Sequence, residues 1–366
     1  MSTRMKDIAA KLGISIVTVS SALRNTGRVS PALRARIRKC AREMNYKPDL
    51  MARGLATGHT FLIGMIVPDL MHPFFAATAK YISRNLRANG YNLVISSSED
   101  DPQLELEEVE SLIARRVDAL LLASSQPSKE SDVFRRIAEV GVPYVLLDRP
   151  VDGLRVPFIG SDNEEIGRLA TEHLIDRGYR KIAYVGVPIL GVGSGRLQGY
   201  KVALRRRNLS VSKSLIETVE SADERGEECG YSAMQRLLSR HPRPDAVFCL
   251  NDIIASGVLK AAHDLGLSVP GDVGIIGVSN LTGISFWSSF QVPLSSVDQD
   301  VAAIADRTSE VVLQLLNPDA KAASRRVLVP LKLVARNSTQ GPTGEGIQGK
   351  EPERPDRSNA SQSHYA

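Results

Sequence analysis

Apolar residues recur at helical spacing through the first 45 positions and then switch to short continuous runs. Ile8, Ala9 and Leu12 share one face of a short helix starting at Met5. Gly13 follows, where a helix end needs a residue that tolerates the left-handed conformation. Ser15 can cap a second helix reaching about Leu23, with Val19 and Leu23 inward. Asn25-Thr26-Gly27 makes a turn. Ser30-Pro31 then opens a third helix, with Leu33, Ile37, Ala41 and Met44 at core spacing. Two short helices across a glycine turn, braced by a third, form a helix-turn-helix, whose second helix enters the major groove of DNA.

From Phe61 the pattern alternates. Leu62 to Val67, Tyr91 to Ile95, Ala119 to Ala123 and Pro143 to Leu147 read as buried strands. Helices are predicted near Pro73 to Asn89, Pro102 to Arg115 and Ser131 to Val140. The alternation resumes with strands at Lys181 to Gly186, Ala246 to Leu250 and Val273 to Gly277. Continuous apolar strands separated by helices predict parallel sheets covered on both faces. Two such runs predict two doubly wound lobes, which bind ligands in the cleft at their strand ends.

Charge separates the two regions further. Of the 366 residues, Met1 to Thr60 carry twelve Lys and Arg against three acids. The net charge is +5, so the remaining 306 residues are acidic by four. A basic head on a mildly acidic body indicates one polyanion-binding module attached to a second task. The hydrophobic fraction of 43% is that of a globular chain. Cys40, Cys229 and Cys249 are sparse and lack metal-ligand spacing, which fits a reducing cytoplasm and no structural metal. No apolar run is long enough for a membrane helix, and no export signal is expected. No Walker loop, dinucleotide fingerprint or nucleophile elbow is present. Gly191-Val192-Gly193-Ser194-Gly195 lacks the lysine of a phosphate loop. No catalytic residue and no cofactor are therefore expected. A solute-binding protein without a regulatory role is a second reading; the helix-turn-helix and the missing export signal argue against it.

On the second helix, Ile16, Val17 and Ser21 fall on the outward face near its start, where base edges would be met; Ile16 and Val17 could alternatively be core. The run Met5-Lys6-Asp7-Ile8-Ala9-Ala10-Lys11-Leu12-Gly13-Ile14-Ser15, with Thr18-Val19-Ser20, resembles the head of the lactose/galactose-repressor family. Asn45-Tyr46-Lys47-Pro48 and Ala52-Arg53-Gly54-Leu55 resemble that family's hinge. The resemblance implies that Ile16, Val17 and Ser21 select the operator. It also implies that residues 49–56 fold into a hinge helix on DNA. Ala52 and Arg53 would then lie at the minor groove, with Leu55 wedged between base pairs. An apolar wedge unstacks a base step and bends the duplex, so two hinges, one per subunit, are required. The family usually has Asn where this chain has Asp49.

The resemblance extends from Phe61 to about Thr339 and is shared with periplasmic sugar-binding proteins. It implies a helix-turn-helix domain at 1–46, a hinge and linker at 47–60, and an effector-binding and dimerisation body at 61–340. Its N-lobe would take 61–160 and 292–322, its C-lobe 161–291 and 323–340, with crossings near 160, 291 and 322. Residues 341–366 lack apolar periodicity and are expected to be disordered. They contain no leucine heptads, so the expectation is a homodimer on double-stranded operator DNA. Family correspondence points to His72, Phe74, Phe75, Asp148, Arg149, Arg196, Asn251 and Gln299 as effector contacts. Aromatic rings can cover a pyranose or purine face, and Arg, Asp and Asn can fork hydrogen bonds to hydroxyls. Phe74 and Phe75 could instead be core, and Asp148 could simply hold its strand end. Many relatives carry an Asp pair after the strand ending at Gly277; here Val278-Ser279-Asn280 stands, which makes Ser279 the candidate there. The stretch Leu281 to Val292, with Trp287, looks longer than usual. The expected function is an effector-controlled repressor, with a sugar-like effector or, alternatively, a purine-type corepressor.

Overall fold

The fold is described from a computed structural model, over residues 3–46, 58–187, 192–220, 222, 225–281, 292–317, 319 and 326–341. The expected hinge helix (Ala52, Arg53 and Leu55 included), the Trp287 loop and the tail beyond Gly341 lie outside the described residues. Two compact units are present. One contains Met1–Leu62 together with Arg116–Asp118; the other contains Ile63–Arg115 and Ala119–Ala366.

In the head, α1 (Met5–Leu12) ends at Gly13, whose φ is +65°. Ser15 caps α2 (Ile16–Arg24): its hydroxyl accepts from the Thr18 N–H at 3.1 Å. Ser30 does the same for α3 (Pro31–Glu43), which has proline in its first turn. The three helices close on Ile8, Ala9, Val19, Ala22, Ile37, Cys40 and Ala41. This core is small, so the caps, each worth about 1 kcal/mol, matter to it.

The body begins with β1 (Leu62–Val67), α4 (Pro73–Ala88), β2 (Asn92–Ser97), α5 (Pro102–Ala114) and β3 (Ala119–Leu122). Next come α6 (Asp132–Val140), β4 (Tyr144–Leu147) and β5 (Phe158–Gly160). The second lobe contains α7 (Asn163–Asp176), β6 (Ile182–Gly186), α8 (Val192–Arg206), β7 (Ile216–Thr218) and α9 (Gly226–Leu238). It continues through β8 (Ala246–Cys249), α10 (Asp252–Asp264), β9 (Gly274–Val278) and β10 (Ser295–Asp298). The last described elements are α11 (Val301–Leu315), β11 (Arg326–Leu328) and β12 (Lys332–Val334).

The strands form two sheets, ordered β11-β5-β4-β3-β1-β2 and β12-β10-β9-β8-β6-β7. β1 pairs with β3, β3 with β4, β4 with β5 and β5 with β11, all parallel. In the second sheet only the β10–β12 ladder is antiparallel among those described. Each sheet is covered by helices, and each lobe has its own core.

The pairings move two of the expected crossings. β10 belongs to the second sheet, bonded to β9 and β12, so the chain leaves the C-lobe after Asp298 rather than near 291. α11 then packs its Ile304, Ala305, Val311 and Val312 into the first lobe's core. β11 pairs with β5 in the first sheet, so the final crossing lies between β11 and β12 rather than near 322. A short apolar strand carries no mark of which sheet it will join; only its pairing partner decides.

Candidate functional site

In the head, Ser15 and Asn25 bound the helix that carries the candidate base-reading residues. Val19 and Ala22 turn into the core, so the helical period turns Ile16 and Val17 away from it. Ile16 is 49% exposed and Val17 73%. Ser21 is partly buried, beside the place where a side chain on Gly27 would stand. An uncovered Ile-Val pair at the start of a recognition helix offers apolar contact of the kind a thymine methyl group makes.

In the body, all nine candidate effector contacts come together around one cavity. His72, Phe74, Phe75, Asp148, Arg149, Arg196, Asn251, Ser279 and Gln299 line a tight cavity of about 40 Å³ between the lobes. The sequence reading missed Val192, Ala222 and Leu250, which supply apolar lining from the C-lobe. These are ordinary apolar residues, with no pattern that separates them from core.

The cavity is built from strand ends and helix starts, as a doubly wound fold dictates. His72 caps α4: its Nδ1 accepts from the Phe74 N–H at 3.3 Å. Phe74 and Phe75 meet edge to face with centroids 5.2 Å apart. They belong to the N-lobe core and also line the cavity. Asn251 caps α10, with Oδ1 accepting from the Ile254 N–H at 2.8 Å and Nδ2 donating to the Ala222 carbonyl at 2.7 Å. The amide orientation is thereby fixed. Nδ2 also lies 3.3 Å from His72 Nε2, a direct contact between the lobes. Near the crossing between lobes, Gln299 Nε2 donates to Ser161 Oγ at 3.2 Å and Gln299 Oε1 accepts from Ser279 Oγ at 3.1 Å.

Charge in the cavity is nearly balanced. Arg196 is buried; its Nε donates to Asn163 Oδ1 at 3.0 Å and its Nη1 to the Leu250 carbonyl. Arg149 forks onto Asp100 through Nη1 and Nη2. Burial opposes ionisation of Asp100, but the Arg149 fork and the Ser125 hydroxyl hold its carboxyl below the usual value. Burial raises the pKa of Asp148, while Arg196, Arg149 and a Gln299 hydrogen bond oppose the rise. Burial, helped by Arg149 and Arg196, lowers the pKa of His72 to about 3. The imidazole is therefore neutral near pH 7. Asp148 has φ of +62° and Ser279 of +106°, and strained non-glycine backbone of this kind clusters at binding sites. Asp100 and Asn163, both absent from the sequence reading, hold the two arginines. No metal-binding cluster of His, Cys, Asp and Glu occurs among the described residues.

Residues 60–337 match the domain family described as periplasmic binding proteins and sugar binding domain of the LacI family. Residues 4–49 match the bacterial regulatory proteins of the lacI family. This chain belongs to the LacI family. It is 33% identical over 340 residues to the ribose operon repressor of Escherichia coli (strain K12), covering 91% of this chain and 99% of that protein. It is 30% identical to the HTH-type transcriptional repressor PurR of Mannheimia succiniciproducens, covering 92% and 98%. Among solved structures it is similar to the lac repressor dimer bound to operator and the anti-inducer ONPF, with a TM-score of 0.78 and 25% identity over 93% of this chain and 99% of that one. It is also similar to the regulator CelR in complex with cellobiose, with a TM-score of 0.68, 26% identity and coverage of 92% and 99%. As a LacI-family member the chain is a DNA-binding transcriptional regulator with an effector-binding body. No described helix is long and apolar enough to cross a membrane.

Proposed function

We propose that the interlobe cavity is the effector site and that its ligand is a small, uncharged, polyhydroxylated ring. The observation that carries this reading is the convergence of Asp148, Arg149, Arg196, Asn251, Ser279 and Gln299 from both lobes on one cavity, with Phe74 and Phe75 on its wall. Asp100 neutralises Arg149, Asp148 faces Arg196, and His72 is uncharged, so no cation is left over for a phosphate. Hydroxyls suit forked donors and acceptors at this density. The ribose operon repressors among the relatives make D-ribose the first ligand to test. A purine is the second reading, favoured by the aromatic wall and by the PurR relatives. Calorimetry with D-ribose, other pentoses and hexoses, a sugar phosphate and hypoxanthine separates the two. A sugar phosphate binding more tightly than its parent sugar would overturn the charge argument.

The head carries the other half of the proposal. Ile16, Val17 and Ser21 read base edges, while Ala52, Arg53 and Leu55 act at the minor groove. The protein acts as a cytoplasmic repressor and performs no catalysis. If Leu55 is a wedge, Leu55→Ala leaves melting within about 0.5 kcal/mol of wild type and weakens binding to an operator duplex, with random DNA little affected. Parallel loss of stability and of both affinities would remove the wedge role.

A further inference from the structure

Where the chain enters β1 it is gripped by a loop from a distant part of the sequence. Arg116–Asp118 belong to the compact unit of the head and linker, although the residues on either side of them belong to the body. The Asp118 side chain is only 6% exposed. Its Oδ1 accepts from the Thr60 N–H at 2.9 Å and its Oδ2 from the Phe61 N–H at 2.9 Å. His59 Nδ1 lies 3.7 Å from Oδ2. The Thr60 hydroxyl has one proton and is closer to the Arg116 carbonyl, at 2.6 Å, than to Asp118 Oδ1, at 3.1 Å. The Asp118 N–H donates to the Leu62 carbonyl at 2.8 Å. Three consecutive residues, 60 to 62, are thus hydrogen-bonded to a three-residue loop.

The backbone shows what this grip imposes. Phe61 has φ of +59°, a conformation that side-chain-bearing residues rarely adopt. Such a conformation persists only where its surroundings over-determine it. Two successive N–H groups on one carboxylate do so here, because a carboxylate can accept several charge-assisted hydrogen bonds at once. A neutral side chain of the same size has only one accepting oxygen.

We propose that Asp118 is a positioning residue for operator binding. It touches no DNA; it restrains the chain that leads into β1 from the DNA-binding head. Specific binding requires paired elements to reach their sites together, and freedom left in the connecting chain must be lost on binding. A clamp that removes this freedom beforehand raises specific affinity. Binding to random DNA, which depends on Lys and Arg meeting phosphates, does not need it.

The test uses the full-length protein and two duplexes of equal length, one selected by the wild-type protein from a random pool and one unselected. Asp118→Asn keeps the size and removes one of the two accepting oxygens. Affinity for the selected duplex should fall about tenfold, while affinity for the unselected duplex changes less than about twofold. Unchanged affinity for the selected duplex would overturn the proposal, as would equal loss on both duplexes with a matching fall in melting temperature. Should Asp118→Asn fail to fold, Thr60→Val decides, because it deletes the hydroxyl that contacts both the Arg116 carbonyl and Asp118 Oδ1 and accepts weakly from the Leu62 N–H. A selective loss on the selected duplex with unchanged melting supports the clamp, and no selective loss refutes it.

Discussion

Burial of His72 between two arginines links stability to pH with a definite sign. Its pKa is about 6.5 when unfolded and about 3 when folded, so the unfolded chain binds the extra proton. The stabilisation from its neutral form is complete above pH 6.5 and is lost as pH falls toward 3. His173, lowered to about 4 chiefly by burial, acts in the same direction. Each unit of pH across such a window is worth about 1.4 kcal/mol per group. Melting temperature followed from pH 7 to pH 4 should therefore fall less steeply in His72→Gln than in wild type; equal slopes would show that His72 is not buried as described. Asp252 has the opposite sign. Burial raises its pKa to about 7, against hydrogen bonds from the Leu281 N–H and the Ser296 hydroxyl. Its favourable contribution is present below pH 3.8 and is lost as pH rises through 7. Asp252→Asn should consequently make stability rise more steeply between pH 4 and pH 7 than in wild type, read from denaturant midpoints. Arg196 offers a functional test at the same scale. Arg196→Ala removes the donors to Asn163 and Leu250 and takes away one of the two cations that act on Asp148. Effector affinity should drop roughly 30- to 150-fold, at a cost of about 2–3 kcal/mol, with operator binding retained. Unaltered effector affinity in calorimetry would show that the cavity is not the effector site.

At the scale of elements, helix crossings decide whether the site residues can meet. α7 and α8 approach so closely that a Cβ on Gly199 would lie 1.9 Å from the Glu164 carbonyl oxygen, and one on Gly167 2.0 Å from that of Arg196. Neither contact can be relieved by turning a side chain, because both are with backbone. Gly199→Ala should therefore force the helices apart and destabilise the C-lobe by about 1–3 kcal/mol or more. A melting temperature equal to wild type would mean that the crossing is looser than described. α9 and α10 repeat the device, with Gly230 against Ile254 and Gly257 against Glu227. α8 carries Arg196, and Asn251 caps α10, so both crossings lie beneath cavity residues. The helices themselves were legible beforehand. Gly13, Ser15 and Ser30-Pro31 mark their ends through local backbone chemistry, which needs no partner elsewhere in the chain. The close crossings were not legible, because a glycine inside a helix looks the same whether it faces a backbone or open solvent.

For the whole molecule, a single helix-turn-helix makes too little base contact for specificity, so a dimer should bind a near-palindromic site. Sedimentation of the complex should give two chains per duplex; one chain per duplex would contradict the dimeric arrangement. Affinity should also fall steeply with salt, given the surplus of nine positive charges over residues 1–60. A slope near zero on a double-logarithmic plot would mean that the basic head does not meet phosphate.

Much of this protein is written locally. Periodicity, caps and charge placement need only neighbours within a few residues, so the helix-turn-helix, the two-lobed α/β body and most strand positions were determined by the sequence alone. Residue type and motif similarity also identified the nine cavity residues, since each lies at a strand end or helix start that the pattern marks. The tertiary structure decided what depends on partners far away in the chain. β10 and β11 are short apolar strands that either sheet could accept, and pairing with β9 and β5 assigned them. Asp100 and Asn163 became the holders of Arg149 and Arg196 only once crossings separated by dozens of residues brought them together. Asp118 in sequence is one acid among many. Only in the fold does its carboxylate meet the backbone of residues 60 and 61, because long-range contact, unlike periodicity, leaves no local trace.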